Sequence, residues 1–401
     1  MKNVVNYSIM ILLLILVFSD YLASTVAPFF SYTDETLMAY ITLLAIFRIV
    51  ANGGKVNILR SEKYIVCIYV ILFIVGILGN SLSRYQSNNY AIFIDSISFF
   101  KFFWTYVFSI IWFQNDYSKS LDFSVKKFPK LLVYISIFVE ICNIFIGTFV
   151  YEIDRKTGIK VFSFGGHAYF ASAILACVIA VLMVNFKTNK LYIVVCLAIL
   201  ALTMRAKAFG YIALVILSII VFSKRVKIRN LILATIAMLI VAREKIAFYF
   251  FSADGMRGKL LNASIEIAKS FFPIGSGFAT FGTLSSGQFY SKAYYLYGFY
   301  TYWGTSKEHY GFITDGGWAS IIGQLGFLGL ILYCCMFIFM IFSIKYRAKI
   351  STKIPFVLLI GYIIIASTNE NSLNSNYTVM FAIYTAIVSI YGKQKGEKEY
   401  E

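Results

Sequence analysis

Apolar residues run through this chain in blocks of about 15 to 25, separated by short polar stretches, with no sustained amphipathic period inside the blocks. A helix that is apolar all round needs apolar surroundings, and roughly 20 such residues cross a bilayer, so the blocks predict membrane spans. Twelve are read, at approximately 6 to 26, 36 to 50, 64 to 79, 91 to 113, 131 to 150, 168 to 185, 191 to 203, 208 to 222, 229 to 242, 316 to 344, 354 to 367 and 377 to 392. Between residues 191 and 242 the clear apolar runs are only about 12 to 15 long, so boundaries there are soft and one hairpin is open to a re-entrant reading. The expected fold is all-α and polytopic: helices 1 to 9 in residues 1–241, one large extracytoplasmic loop over 242–315, and helices 10 to 12 with a tail over 316–401.

Composition agrees with this reading. Of 401 residues 60% are hydrophobic and 14% charged, with a mean hydropathy of +0.77, whereas soluble domains carry roughly a quarter charged residues. The net charge of +17 raises the question of nucleic acid. That would need the cations gathered on one soluble face, and here they sit in short clusters between apolar blocks, so no nucleic-acid partner is expected. Twenty-two Lys and Arg fall on the side of the N-terminus against six in the short loops opposite. By the positive-inside rule both termini are expected in the cytoplasm, and the long loop outside. Lys2 and the apolar run from Tyr7 to Leu22 read as an uncleaved first span. The six cysteines all lie in apolar blocks and have no C-x-x-C spacing, so they are read as small core residues. No internal repeat stands out, and the four prolines sit near span ends or in loops, a pattern that speaks against the broken helices of a carrier.

Candidate chemistry concentrates in the long loop and one short one. The long loop opens with Arg243, Glu244 and Lys245 and passes Asp254 and Arg257. It then places Leu260, Leu261, Ile265, Ala268 and Phe272 at helical spacing, which predicts an amphipathic helix on the membrane surface. Pro273, Gly275 and Gly277 follow, where glycine permits a tight turn and a close backbone approach to a ligand, the alternative being an ordinary loop. Between the seventh and eighth spans, Arg205 and Lys207 break the charge rule. An anionic headgroup or phosphate is the natural partner, the alternative being an interfacial snorkelling pair. Aromatics crowd residues 290 to 303, among them Tyr295, Tyr300 and Trp303, which offer stacking faces for sugars or anchors for a membrane interface. His309 and Asp315 precede the tenth span.

The order of these features resembles the O-antigen and capsule polymerase (Wzy-type) and O-antigen ligase superfamily. Its long periplasmic loop typically carries Pro-x-x-Gly-x-Gly-x-x-x-Phe, then a His or other polar residue, then a span beginning Glu/Gln-x-Gly-x-x-Gly. The matching positions here are Pro273, Gly275 (one place early), Gly277, Phe281, Asp315, Gln324, Gly326 and Gly329. The resemblance covers the topology of the whole chain, with motif support confined to residues 203–210 and 257–329. A ligase has histidine where this chain has Asp315, and His309 lies six residues earlier, which favours the polymerase over the ligase.

The resemblance implies a bacterial cytoplasmic-membrane glycosyltransferase without metal or cofactor. It would move a growing glycan from undecaprenyl pyrophosphate to a lipid-linked repeat unit, among membrane lipids and alongside a chain-length regulator and a flippase. The leaving pyrophosphate needs its charge balanced, a task for Arg205 and Arg257 first, then Lys207, Arg243 and Arg84. The acceptor hydroxyl needs a base, Asp315 or His309, with Glu266 and Glu370 in reserve. A flippase is the leading rival and would need buried cations, of which Lys101, with Asp95 nearby, is the visible example. An ion-coupled carrier would want intramembrane carboxylates such as Asp95 and Glu140.

Overall fold

The computed structural model describes residues 2–56, 58–114, 119–150, 152–153, 158, 160–222, 255–347 and 350–397. Among these the regular structure is helical, with one isolated bridge between Ile153 and Lys160. The ninth expected span, the opening of the long loop and Arg243 lie outside the described residues. The other eleven expected spans each fall on a helix. They are α1 (Lys2–Val17) with α2 (Ser19–Thr25), α3 (Thr33–Ala51), α4 (Arg60–Ser83), α5 (Asn89–Phe113), α7 (Phe128–Phe145, after the short α6, Lys119–Lys126), α8 (Ala168–Leu182), α9 (Phe186–Leu202), α10 (Ala206–Phe222), α14 (Gly317–Arg347), α15 (Ile350–Ala366) and α16 (Thr378–Glu397).

Five stretches among the described residues are long and apolar enough to cross a membrane: Arg60–Ser83, Asn89–Phe113, Lys119–Phe145, Ala168–Leu202 and Gly317–Ile344. The pair α1 and α2, bent by 65°, makes a sixth if read as one broken span. The protein is thus an all-α membrane protein. The stretch Ala168–Leu202 doubles back on itself: Asn189 donates to the Leu182 carbonyl (3.0 Å) and the Cys196 thiol approaches the Leu175 carbonyl (3.7 Å), so α8 and α9 are antiparallel. At 1.5 Å per residue each is about 25 Å long or less, which is why the apolar runs there looked short.

Buried charge fixes the packing of the bundle. Lys101, 2% exposed in α5, donates to Asp34 and Glu35 at the start of α3. Trp104 donates to Thr42 (2.9 Å), so α3 and α5 run side by side in the same direction. Lys101 and Asp95, six residues apart, do not meet; Asp95 serves a loop described below. At the other end of the bundle, Arg347 donates two hydrogen bonds to Glu62 (2.7 and 2.8 Å) and Ser343 a third (2.6 Å), which ties the end of α14 to the start of α4. The Leu59 N–H adds a fourth hydrogen bond (2.9 Å), so little of the charge of this buried carboxylate goes unanswered.

Residues 255–315 form a small second core of their own. Here α11 (Met256–Ser270) packs along α14, with Leu260, Ala263 and Ile267 meeting Phe281, Tyr294, Phe299 and Ile313. The short helices α12 (Leu284–Gln288) and α13 (Lys292–Leu296) complete it.

Candidate active site

The segment 273–283, buried from Gly275 onward, is a loop stitched into three helices. The Asn80 side chain, near the end of α4, accepts from the Phe278 N–H and donates to its carbonyl, both at 2.8 Å. Asp95 in α5 accepts from the Ala279 N–H (2.6 Å), and Gln324 in α14 donates to the Phe281 carbonyl (2.6 Å). The α14 backbone also takes part: Gly277 donates to the Gln324 carbonyl (2.7 Å) and Leu328 to that of Pro273 (3.1 Å). At Gly326 the helix opens (φ 67°, ψ −167°) to admit this contact. A Cβ on Gly326 would lie 2.3 Å from the Pro273 oxygen, and one on Gly277 would lie 2.2 Å from the Asn80 nitrogen. The close approach that these glycines permit is therefore to the backbones of α4 and α14. Phe278 wedges between Phe73, Phe99 and Phe100.

Beside this platform the charged side chains gather. The chain turns from α9 to α10 at Met204, in the left-handed region (φ 52°), and this presents Arg205 and Lys207 together. Arg205, 36% exposed, donates to Glu152, whose other oxygen lies 3.7 Å from His167 Nδ1. Lys207 is only 3% exposed; it donates to Glu370 and sits over the rings of Tyr169, Tyr377 and Tyr362 at 5.3, 5.4 and 5.7 Å. Tyr377 donates to the same Glu370. An ammonium held by a carboxylate among ring faces is compensated despite its burial.

Arg257, in the first turn of α11, reaches Asp315 at 3.5 Å. The neighbourhood is fixed by backbone: Asn371 donates to the Thr314 carbonyl (2.9 Å) and Gly317 to that of Ser367 (3.0 Å), which brings the Glu370 turn against Asp315. Burial raises the Asp315 carboxyl to about 6; Arg257 opposes the shift, Glu370 adds to it and Arg205 opposes it. Glu152 is held below the usual carboxylate range, foremost by His167, with burial acting against and Arg205 in support.

Of the residues singled out in the sequence, Arg205, Lys207, Arg257 and Asp315 thus fall in one electrostatically coupled cluster, and Glu370 joins them. His309 does not: it is exposed and lies against Trp303 (6.2 Å). Arg84 is an exposed left-handed residue at the end of α4, with no ion pair among the described residues. Tyr295 and Tyr300 face each other at 5.7 Å, and Trp303, 73% exposed, packs edge-on to Phe312. Nearby, Lys259 sits over the Tyr302 ring at 3.9 Å. Glu266 is exposed on α11, and Glu140 is partly buried on α7. Glu152, His167 and Tyr377 were missed from sequence. The one available signal was that two cations so close together, Arg205 and Lys207, require countercharges. Among the described residues no group of three metal-ligating side chains forms a metal site.

Compared with known proteins, the chain matches no protein-family model and no curated protein.

Proposed function

We propose that this protein is a polysaccharide polymerase of the bacterial cytoplasmic membrane. It transfers a growing glycan from undecaprenyl pyrophosphate to a lipid-linked repeat unit on the outer face. In this reading the chain crosses the membrane twelve times with both termini in the cytoplasm, and residues 242–315 form the outer loop. The observation that carries the reading is the meeting of Arg205 and Lys207 from the α9–α10 turn with Arg257 and Asp315 from the loop segment. Fixed planar guanidinium donors suit a leaving diphosphate, and a carboxylate beside them suits removal of a proton from an acceptor hydroxyl. The exposed Tyr295, Tyr300 and Trp303 offer stacking faces to the sugars. A flippase for the same lipid would want unneutralised cations along its path, whereas Lys101 is neutralised by Asp34 and Glu35.

The test is surface glycan length in the cell that encodes the chain. Arg205→Ala and Arg257→Ala are expected to abolish long polymer, leaving single lipid-linked repeats on a gel, while the protein still accumulates in the membrane. Arg→Lys should restore only part, because a point charge cannot form the bidentate fork. Polymer of ordinary length in both alanine variants would overturn the proposal.

A further inference from the structure

Lys207 reads from sequence as a partner for the diphosphate, yet its surroundings give it other work. Its ammonium is 3% exposed, enclosed by the rings of Tyr169, Tyr362 and Tyr377, and it donates to Oε1 of Glu370. Tyr377, itself fully buried, donates its hydroxyl to that same oxygen. Two donors on one oxygen fix the carboxylate, and among the described residues its Oε2 has no hydrogen-bond partner. The neighbour of Glu370 is Asp315. The turn that carries Glu370 lies against the start of α14: Asn371 donates to the Thr314 carbonyl (2.9 Å), and Gly317 and Trp318 donate to that of Ser367 (3.0 and 3.3 Å). A Cβ on Gly317 would lie 2.7 Å from the Glu370 carbonyl oxygen. A carboxylate oxygen with open lone pairs only accepts, as does an ionised phosphate oxygen, so Glu370 suits a ligand that donates. A sugar hydroxyl is such a donor, and its bond to a carboxylate is charge-assisted.

Resting on the polymerase reading, we infer that Glu370 binds the acceptor sugar, its Oε2 accepting a hydrogen bond from a hydroxyl next to the one that Asp315 deprotonates. The acceptor is then a sugar with two free neighbouring hydroxyls, because the two carboxylates are held side by side by adjoining backbone. One hydroxyl gives its proton to Asp315 as its oxygen bonds to the anomeric carbon of the donor. The diphosphate leaves with the electron pair of the broken C–O bond, and the second hydroxyl keeps its proton on Glu370. Lys207 and Tyr377 are positioning residues that act through Glu370, which leaves the diphosphate to Arg205 and Arg257. The alternative, that Glu370 serves only to neutralise Lys207, gives a different kinetic result.

The test uses membranes holding the full-length protein. The acceptor is the lipid-linked repeat extracted from cells that make the Arg257→Ala variant, and the donor is lipid-linked polymer from wild-type cells. With donor saturating and the repeat varied, Glu370→Gln should raise KM for the repeat about ten- to hundredfold, the loss of a hydrogen bond to a charged group, with a much smaller change in kcat. Glutamine keeps an oxygen for Lys207 and Tyr377 but puts its amide nitrogen, a donor, where the open acceptor stood. Asp315→Asn should show the reverse split, with kcat lost. Lys207→Met combined with Glu370→Gln removes the buried charge pair whole, so that no unpaired ammonium is left inside. Its KM should stay raised, and it carries the test alone if Glu370→Gln fails to accumulate. A wild-type KM in the double variant, or in Glu370→Gln, would overturn the inference and leave the polymerase reading standing. Polymer of ordinary length in cells with Arg205→Ala and with Arg257→Ala would instead bring down the polymerase reading, and the inference with it.

Discussion

Asp315 and His309 were the two candidates for the base, Asp315 favoured because it sits at the mouth of a span and His309 in an aromatic loop, and their surroundings separate them further. Asp315 is 34% exposed, anchored by the backbone bonds of residues 314–317 and 3.5 Å from Arg257, whereas His309 lies on the surface beside Trp303. A carboxylate accepts a proton only when ionised, so with its carboxyl at about 6, polymer synthesis should rise with pH through that value. For stability the sign is opposite. The folded value lies above the ordinary 3.8 of an aspartate, so the contribution of Asp315 is fully present below 3.8 and is lost as pH rises through about 6. A histidine base with an ordinary value near 6.5 would give almost the same activity profile, so pH alone does not discriminate. Substitution does: Asp315→Asn should lose polymer at every pH, while His309→Ala keeps both polymer and profile. Polymer made by Asp315→Asn would remove Asp315 as the base. The sequence revealed Arg205 and Lys207 because, in a short loop expected outside, two cations conflict with the charge rule. It hid Glu152, His167 and Tyr377, which occupy unremarkable positions and gain meaning only through partners far along the chain.

At the level of elements, the glycine-rich stretch was legible as something other than a helix, yet its purpose was not. Gly326 belongs to a span by hydropathy, and only the loop pressed against it explains the opened helix. Gly326→Ala tests this. Its φ and ψ lie in a region essentially restricted to glycine, costing about 1–3 kcal/mol for another residue, and the added Cβ would overlap the Pro273 carbonyl. Overpacking of that kind adds about 1–3 kcal/mol. Gly298→Ala is the control, since Gly298 also has a positive φ (73°) but open space around its Cβ position. Thermal unfolding in detergent should show the Gly326 variant well below the Gly298 variant, which is in the milder left-handed helical region; equal losses would mean that neither the glycine-only conformation nor the overlap at Gly326 adds to the cost of a positive φ. The amphipathic helix was legible too, with its buried stripe displaced. Leu260, Leu261, Ile265, Ala268 and Phe272 were expected to face the membrane surface, whereas the helix packs into the protein with Leu260, Ala263, Ser264, Ile267 and Ala268 buried. Phe272 is exposed because the helix ends at Ser270. Small residues that let α11 approach α14 closely carry no weight in a count of apolar positions.

For the molecule as a whole, the structure converts a charge count into a sidedness test. Glu62 begins α4 and Asn80 lies near its end, a rise of about 27 Å at 1.5 Å per residue, close to the roughly 30 Å of a bilayer's hydrocarbon core. Glu62 binds Arg347 at the end of α14, and Asn80 binds Phe278 in the loop that meets the start of α14. Residues 60 and 347 therefore share one end of the bundle. Residues 84–86 and 276–285 share the other, joined by Ser83 to the Ser276 carbonyl and by Lys292 to the Tyr85 carbonyl. This pairing holds whichever way the protein inserts, and the excess of Lys and Arg on the side of the N-terminus then chooses the direction. Reporter fusions after residues 60, 125, 188, 226 and 348 should give cytoplasmic signals, and those after 86, 157 and 285 external ones. Fusions after 86 and 285 that disagree with each other would contradict the packing of the loop on α4. Agreement between them on the cytoplasmic side would instead leave the packing intact and sink the polymerase reading, because the cluster around Arg205 and Asp315 would then face away from a lipid-linked donor presented outside.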